Sequence, residues 1–309
     1  AIQFYNSIGG GEVGSTNSDW FELYALPSIE LGNVECNINI ITSDTDDPHE
    51  FDIPIQILVS LDQKGFPIDD IVIKSSPIIV DLYGNNFQNI IFGSDDNNVY
   101  GYMIDGIEMF GFPYSTGDDV RSSPAVADLD KNNIMELIVG SHDGSLSILS
   151  GFGNQVATHQ VNGSINGSPA AVDLDQDGDL EVVFTSFNGN SGDVHAIHHD
   201  GSTFYGFPVY LNEKMMGGAA TGDLDGDSYP ELVVCTDDDN VYAIKKDGSI
   251  MPGFPFTSTD RFFNAPTLVD LDFDGDLEIV VGNRRGTLQV LHHDGTEMAS
   301  YDVGDDIRG

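Results

Sequence analysis

Aspartates recur at alternate positions, closed by a glutamate and followed by an apolar run, four times in this chain. The copies are Asp128-Leu-Asp-Lys-Asn-Asn-Ile-Met-Glu136, Asp173-Leu-Asp-Gln-Asp-Gly-Asp-Leu-Glu181, Asp223-Leu-Asp-Gly-Asp-Ser-Tyr-Pro-Glu231 and Asp270-Leu-Asp-Phe-Asp-Gly-Asp-Leu-Glu278. A fifth, eroded copy runs from Asp81 to Asn89, and the leading aspartates lie 47, 45, 50 and 47 positions apart. Oxygens at positions 1, 3 and 5 of such a loop converge on one ion when a tight turn folds alternate side chains inward, and glycine at position 6 permits the bend. Oxygen donors in this pattern select a hard cation, calcium rather than magnesium, which prefers to keep its waters. The competing reading, acidic turns without metal, weakens with every copy in register.

The loops need flanking elements to hold them, and the repeat supplies these. A small-residue strand precedes each loop, at 75–80, 122–127, 167–172, 217–222 and 264–269. An apolar second strand follows, such as Leu137-Ile138-Val139 or Val182-Val183-Phe184. After a turn comes an alternating third strand. It ends in an Asp-Gly hairpin signal at 105–106, 200–201, 247–248 and 294–295. A fourth strand often carries Gly-Phe-Pro, at 111–113, 206–208 and 253–255. Four short strands per period of this length predict a β-propeller blade, and no periodic helix interrupts the pattern. The fold class expected is all-β.

A small residue, Pro, three residues, then Asp-Leu-Asp-x-Asp-Gly-x-x-Glu, three apolar residues and Gly resembles the FG-GAP repeat, the blade of integrin α-subunit propellers. The resemblance covers about residues 74–303. It implies calcium in the loops, about three to four ions, with ligands carried over by position. Two loops are complete: Asp173, Asp175, Asp177, the carbonyl of Asp179 and Glu181; and Asp270, Asp272, Asp274, the carbonyl of Asp276 and Glu278. A third, with Asp223, Asp225, Asp227, the carbonyl of Tyr229 and Glu231, has Ser228 at the bend. The fourth, with Asp128, Asp130, Asn132, the carbonyl of Ile134 and Glu136, has Asn133 there, and asparagine tolerates the left-handed conformation. In the Asp81 copy, Tyr83 and Asn89 replace acids, and no ion is expected.

Charge bounds the partners. Lys and Arg number 11 against 51 Asp and Glu, a formal net of −40, which repels a phosphate backbone or an anionic membrane surface. Bound calcium would relieve part of this self-repulsion; a salt-adapted surface accounts for the rest. The two cysteines, Cys36 and Cys235, fall in different modules and make no disulfide framework. Cys235, in an apolar run, is expected to be a buried thiol. No signal peptide, apolar spanning run or lipidation motif is present.

The organisation expected is a β-rich segment at 1–56, read as a truncated, Ig-like sandwich module, followed by the propeller at 57–309. Its blades are drawn at 74–116, 117–163, 164–212, 213–258 and 259–303. Gly-Phe-Pro at 65–67 looks like the fourth strand of a blade that lacks its other strands. Gly-Asp-Asp-Ile-Arg at 304–308 repeats Gly-Asp-Asp-Val-Arg at 117–121, the lead-in to a blade. Two arrangements stay open: an incomplete ring belonging to a longer protein, or five blades closed with the help of flanking strands.

No nucleophile elbow, zinc-protease helix or phosphate loop is present. His198-His199-Asp200 and His292-His293-Asp294 occupy the turn where Lys245-Lys246-Asp247 stands in another repeat, and so read as solvated turn residues rather than a transition-metal site. Seven positions before each leading aspartate stand Lys74, Arg121, Asn166, Met216 and Phe263, with Arg308 in the matching place at the end. These are expected to ring one mouth of the central channel, opposite the metal loops, with Arg261, Phe262, Met215, Arg284 and Arg285 on the same face. Such a patch, above all Lys74, Arg121, Arg261 and Phe263, suits an acidic protein loop or anionic glycan. The alternative is internal pairing, for example of Arg121 with Asp118 or Asp119. The function expected is an extracellular, calcium-binding adhesion or interaction module without catalysis. The alternative is an accessory region of a secreted peptidase or polysaccharide-degrading enzyme.

Overall fold

The computed structural model describes residues 32–41, 50–59, 66 and 68–307. Two compact units are present, Ala1–Pro67 and Ile68–Gly309. In the first, β1 (Gly32–Ile41) pairs antiparallel with β2 (Glu50–Val59) along its whole length, from Gly32↔Val59 to Ile41↔Glu50. That ladder carries β2 through residues 57–59, past the expected start of the propeller at 57. The rest of the expected sandwich, and Arg308, lie outside the described residues.

The second unit is a β-propeller of five four-stranded antiparallel sheets, each an up-and-down meander. The first blade holds β3 (Ile78–Val80), β4 (Asn89–Gly93), β5 (Asn98–Met103) and β6 (Tyr114–Ser115). The second holds β7 (Ala125–Ala127), β8 (Glu136–Gly140), β9 (Ser145–Ser150) and β10 (Gln155–Gln160). The third holds β11 (Ala170–Val172), β12 (Glu181–Asn188), β13 (Ser191–Ile197) and β14 (Val209–Tyr210). The fourth holds β15 (Ala220–Gly222), β16 (Glu231–Cys235), β17 (Asn240–Ile244) and β18 (Phe256–Thr257). The fifth holds β19 (Thr267–Val269), β20 (Glu278–Gly282), β21 (Thr287–Leu291) and β22 (Glu297–Asp302).

The second strands are continuous apolar runs because both of their faces are covered. Leu137 and Val139 pack with Ile91, Val99 and Phe112 of the first blade, while Ile138 between them packs with Val182 and Phe184 of the third. Val183 then meets Leu232 and Val234 of the fourth blade, and Val233 and Cys235 meet Ile279 and Val281 of the fifth. Each such side chain, taken fully out of water, contributes about 1.5–3 kcal/mol. Cys235 is a free thiol, 4 % exposed, and burial pushes its ionisation up.

Backbone contacts join the blades at their rims. Gly206, with φ +90°, lies where an added Cβ would come 2.4 Å from the Asp247 carbonyl oxygen, so Gly-Phe-Pro of one blade seats against the Asp-Gly turn of the next. Near the axis, the Ser76 amide donates to Ser123 Oγ at 2.8 Å, and Asn166 Nδ2 donates to the Met216 carbonyl at 3.0 Å.

Candidate metal centres

Five loops connect first to second strands, and their backbone is set by two left-handed residues rather than one. Position 6 carries φ of +68° at Asn133, +111° at Gly178, +76° at Ser228 and +102° at Gly275. Position 4 is also left-handed, at Lys131 (+55°), Gln176 (+64°), Gly226 (+73°) and Phe273 (+64°), a bend the aspartate spacing does not announce. The acids then bridge along the loop. Asn133 N donates to Asp128 Oδ2 at 2.8 Å and Ser228 N to Asp223 Oδ2 at 2.9 Å. Position 5 amides donate back to Asp130, Asp175, Asp225 and Asp272, and position 7 amides to Asn132, Asp177, Asp227 and Asp274.

The closing glutamates hold the loop backbone. One oxygen of each accepts the amide of position 2: Leu129 to Glu136 at 3.0 Å, Leu174 to Glu181 at 2.9 Å, Leu224 to Glu231 at 2.9 Å and Leu271 to Glu278 at 2.8 Å. In the eroded copy Asn89 Oδ1 does the same for Leu82 at 3.1 Å. Asparagine there keeps the buried hydrogen bond and drops the charge.

Carboxylate oxygens converge within 4.8 Å of one another in every acidic loop: Asp128, Asp130 and Glu136; Asp173, Asp175 and Glu181; Asp223, Asp225 and Glu231; Asp270, Asp272 and Asp274. Positions 1, 3 and 9 thus come together in three loops, with Asp177 and Asp227 outside the tight group, while the fourth gathers positions 1, 3 and 5. Ile134 turns its side chain to solvent, and Asp179 and Asp276 spend theirs on His199 and His293, at 2.6 and 3.0 Å. Only the backbone carbonyl of these residues is left for an ion. Asp128 Oδ1, Asp173 Oδ1, Asp223 Oδ1 and Glu278 Oε1 are buried without a hydrogen-bond partner. Burial, followed by the neighbouring acids, raises the carboxyls of Glu136 and Glu181 and pushes that of Glu231 up to about 7.

The histidine and lysine pairs are not the solvated turns that sequence equivalence suggests. In an up-and-down meander the third strand ends beside the loop that joins the first two. His198 Nδ1 lies 3.1 Å from Glu181 Oε1, His292 Nδ1 3.6 Å from Glu278 Oε1, and Lys245 Nζ 2.7 Å from Asp225 Oδ2. His292 also converges with Asp272 and Glu278 within 4.8 Å. The missed signal was the hairpin register, which sets the last residue of the third strand opposite position 9, as in Glu136↔Ser150 and Asn89↔Met103.

At the other end of the strands, Asn166, Met216, Phe263 and Arg284 line an open cavity of about 400 Å³. Arg284 sits 5.5 Å from the Phe263 ring centroid and 3.7 Å from Asp306. Arg121 is paired internally, with Asp95 and Asp119, both at 2.8 Å, while remaining partly exposed. Lys74 and Arg261 are exposed. Met215 and Phe262 do not belong to the patch. Each is 1 % exposed, because the residue before each channel position points into an interblade core, as Val120 and Ile165 also do.

A family model for FG-GAP-like repeats matches residues 173–234 and 223–281, which hold three of the acidic loops. Residues 173–281 of the propeller are thus FG-GAP-like repeats. Among curated proteins none matches the chain. Solved structures share the fold. The Vibrio cholerae biofilm matrix protein Bap1 superposes with a TM-score of 0.58 at 20% identity, over 75% of this chain and 40% of its own. A europium-containing methanol dehydrogenase gives 0.55 at 14% identity, over 77% and 53%. The Dos1 propeller gives 0.52 at 16% identity, over 75% and 59%. The chain therefore spans less than half the length of the biofilm protein.

The acidic loops suit a hard divalent cation by their donor set. Each offers several carboxylate oxygens within 4.8 Å of one another, and a buried anionic oxygen with no donor is costly unless a cation faces it. When bound, calcium would cancel that charge and tie the first strand to the second. The residues that would hold it are the converging acids of each loop, with the closing glutamate already anchored by its amide bond.

Proposed function

We propose that this chain is an extracellular interaction module, secreted or at a cell surface, whose FG-GAP blades are braced by calcium. The observation that carries the reading is the buried carboxylate oxygen without a hydrogen-bond partner on the leading aspartate of three successive loops, Asp128, Asp173 and Asp223, each set among converging acids. Oxygen chemistry and loop size favour calcium over magnesium, and millimolar calcium is an extracellular resource. The patterned carboxylates are committed to loop amides and a cation, which favours binding over catalysis. Calorimetric titration of chelator-stripped protein with calcium, with a thermal melt at each end point, tests the brace. Saturable binding with a large rise in melting temperature is expected. An unchanged melt in excess chelator refutes it.

The partner surface we assign is the channel mouth opposite the loops, where Phe263, Met216 and Arg284 line the cavity and Lys74, Arg121 and Arg261 lie exposed or partly exposed. A basic and apolar mouth on a chain of net −40 fits an acidic protein loop or an anionic glycan. Heparin serves as the glycan probe: Arg261→Glu with Lys74→Glu should abolish retention at low salt, and unchanged retention refutes the assignment.

A further inference from the structure

The four acidic loops differ most in the residue that faces them from the end of the third strand. This place is filled by Ser150, His198, Lys245 and His292, and by Met103 opposite the eroded loop. Serine and methionine are uncharged, and imidazole can be neutral and offer a lone pair. Lysine alone brings a fixed positive charge. Its ammonium lies 2.7 Å from Asp225 Oδ2, 3.9 Å from Asp227 Oδ2 and 4.0 Å from Glu231 Oε1, which are positions 3, 5 and 9 of one loop.

We propose that Lys245 serves as the built-in cation of the Asp223 loop, so that the fourth blade is braced without metal while the Asp128, Asp173 and Asp270 loops take calcium. The tether makes this effective. Ile244 pairs with Leu232, the residue after Glu231, so the ladder of β16 and β17 delivers the lysine stem to the loop at every encounter. Lys246 holds the other side of the same turn, its Nζ 3.0 Å from the Tyr229 ring centroid at position 7. A divalent ion entering the Asp223 loop must displace an ammonium from three carboxylates and then tolerate it nearby. The competitors at the other loops are weaker: Lys131 reaches Asp173 Oδ2 alone, at 3.8 Å, from an exposed side chain, His198 pairs with Glu181, His292 lies beside Glu278 and Asp272, and Ser150 is a hydroxyl. The residue that meets position 9 at the end of the third strand, or just past it, thereby sorts the loops into metal-dependent and metal-independent blades.

The proposal rests on reading the acidic loops as calcium sites, and calcium titration by calorimetry on chelator-stripped protein separates the two. Lys245→Met, which keeps the stem and removes the charge, should add one calcium site to the wild-type number and lower the melting temperature in chelator. Lys214→Met controls for loss of a basic residue elsewhere and should change neither. Asp225→Asn should leave the wild-type number of sites unchanged, whereas Asp175→Asn removes one. An equal number of sites in wild type and Lys245→Met, with one lost in Asp225→Asn, overturns the proposal while leaving the calcium reading intact. No calcium bound by either wild type or Lys245→Met overturns both.

Discussion

Replacing Glu136 with glutamine separates two jobs that one side chain performs in the second blade. Glu136 is 8 % exposed; its Oε2 accepts the Leu129 amide at 3.0 Å, and its carboxylate converges with Asp128 and Asp130. Glutamine keeps an acceptor for the amide, as Asn89 does in the first blade, and deletes the charge. Burial, with added repulsion from Asp130 and Asp128, already holds this carboxyl above its ordinary range. Without calcium, Glu136→Gln should therefore melt at or above wild type. With calcium at a hundred times its dissociation constant, wild type gains about 2.7 kcal/mol from this site by mass action. The variant forgoes that gain, and for a unit of this size about 2–4 °C per kcal/mol places it roughly 5–10 °C below wild type. Glu136→Ala also strands the buried Leu129 amide and should lose about 1–3 kcal/mol in chelator as well. Thermal melts of the three proteins with and without chelator decide the matter. A Glu136→Gln variant destabilised equally in both conditions would refute the division of labour.

Two further predictions use parts of the fold outside the ion-facing groups. Phe273 is 89 % exposed and held at φ +64°, where a side chain costs about 1–2 kcal/mol and the equivalent residue of the next loop upstream is Gly226. Phe273→Gly should therefore raise the apo melting temperature by a few degrees despite glycine's entropy cost; a drop would refute the strain argument. His195 is 6 % exposed, stacked 4.8 Å from Phe184 and within 2.9 Å of Ser186 Oγ, and burial, then His159, lowers its pKa to about 4 from 6.5. The folded pKa is depressed for a base, so its contribution is full above pH 6.5 and lost as pH falls toward 4, a loss of roughly 3 kcal/mol. Glu231, raised to about 7, works in the opposite sense over pH 4.5–7, but it is common to wild type and variant. Urea melts from pH 7 to 4 should show wild type losing stability relative to His195→Gln; parallel curves would refute it.

Local spacing was enough to locate the loops and their converging acids, though not the second left-handed bend at position 4. Alternate aspartates, a bend residue at position 6 and a closing glutamate lie within nine residues, and the backbone that brings Asp173, Asp175 and Glu181 together follows from that short stretch. The apolar runs of the second strands likewise announced elements covered on both faces, and the period of the repeats announced a propeller. What only the tertiary structure decided was which side chains meet across strands and blades. His198, Lys245 and His292 are 14 residues or more from the acids closing their loops, and they arrive there by a hairpin register that no residue pattern states. Arg121 finds Asp95 in the preceding blade as well as Asp119 beside it, and Met215 and Phe262 turn from the mouth into the interblade cores. A sequence repeat fixes what each blade has in common; the field at each acidic loop depends on residues set by strand pairing, where the repeats are free to differ.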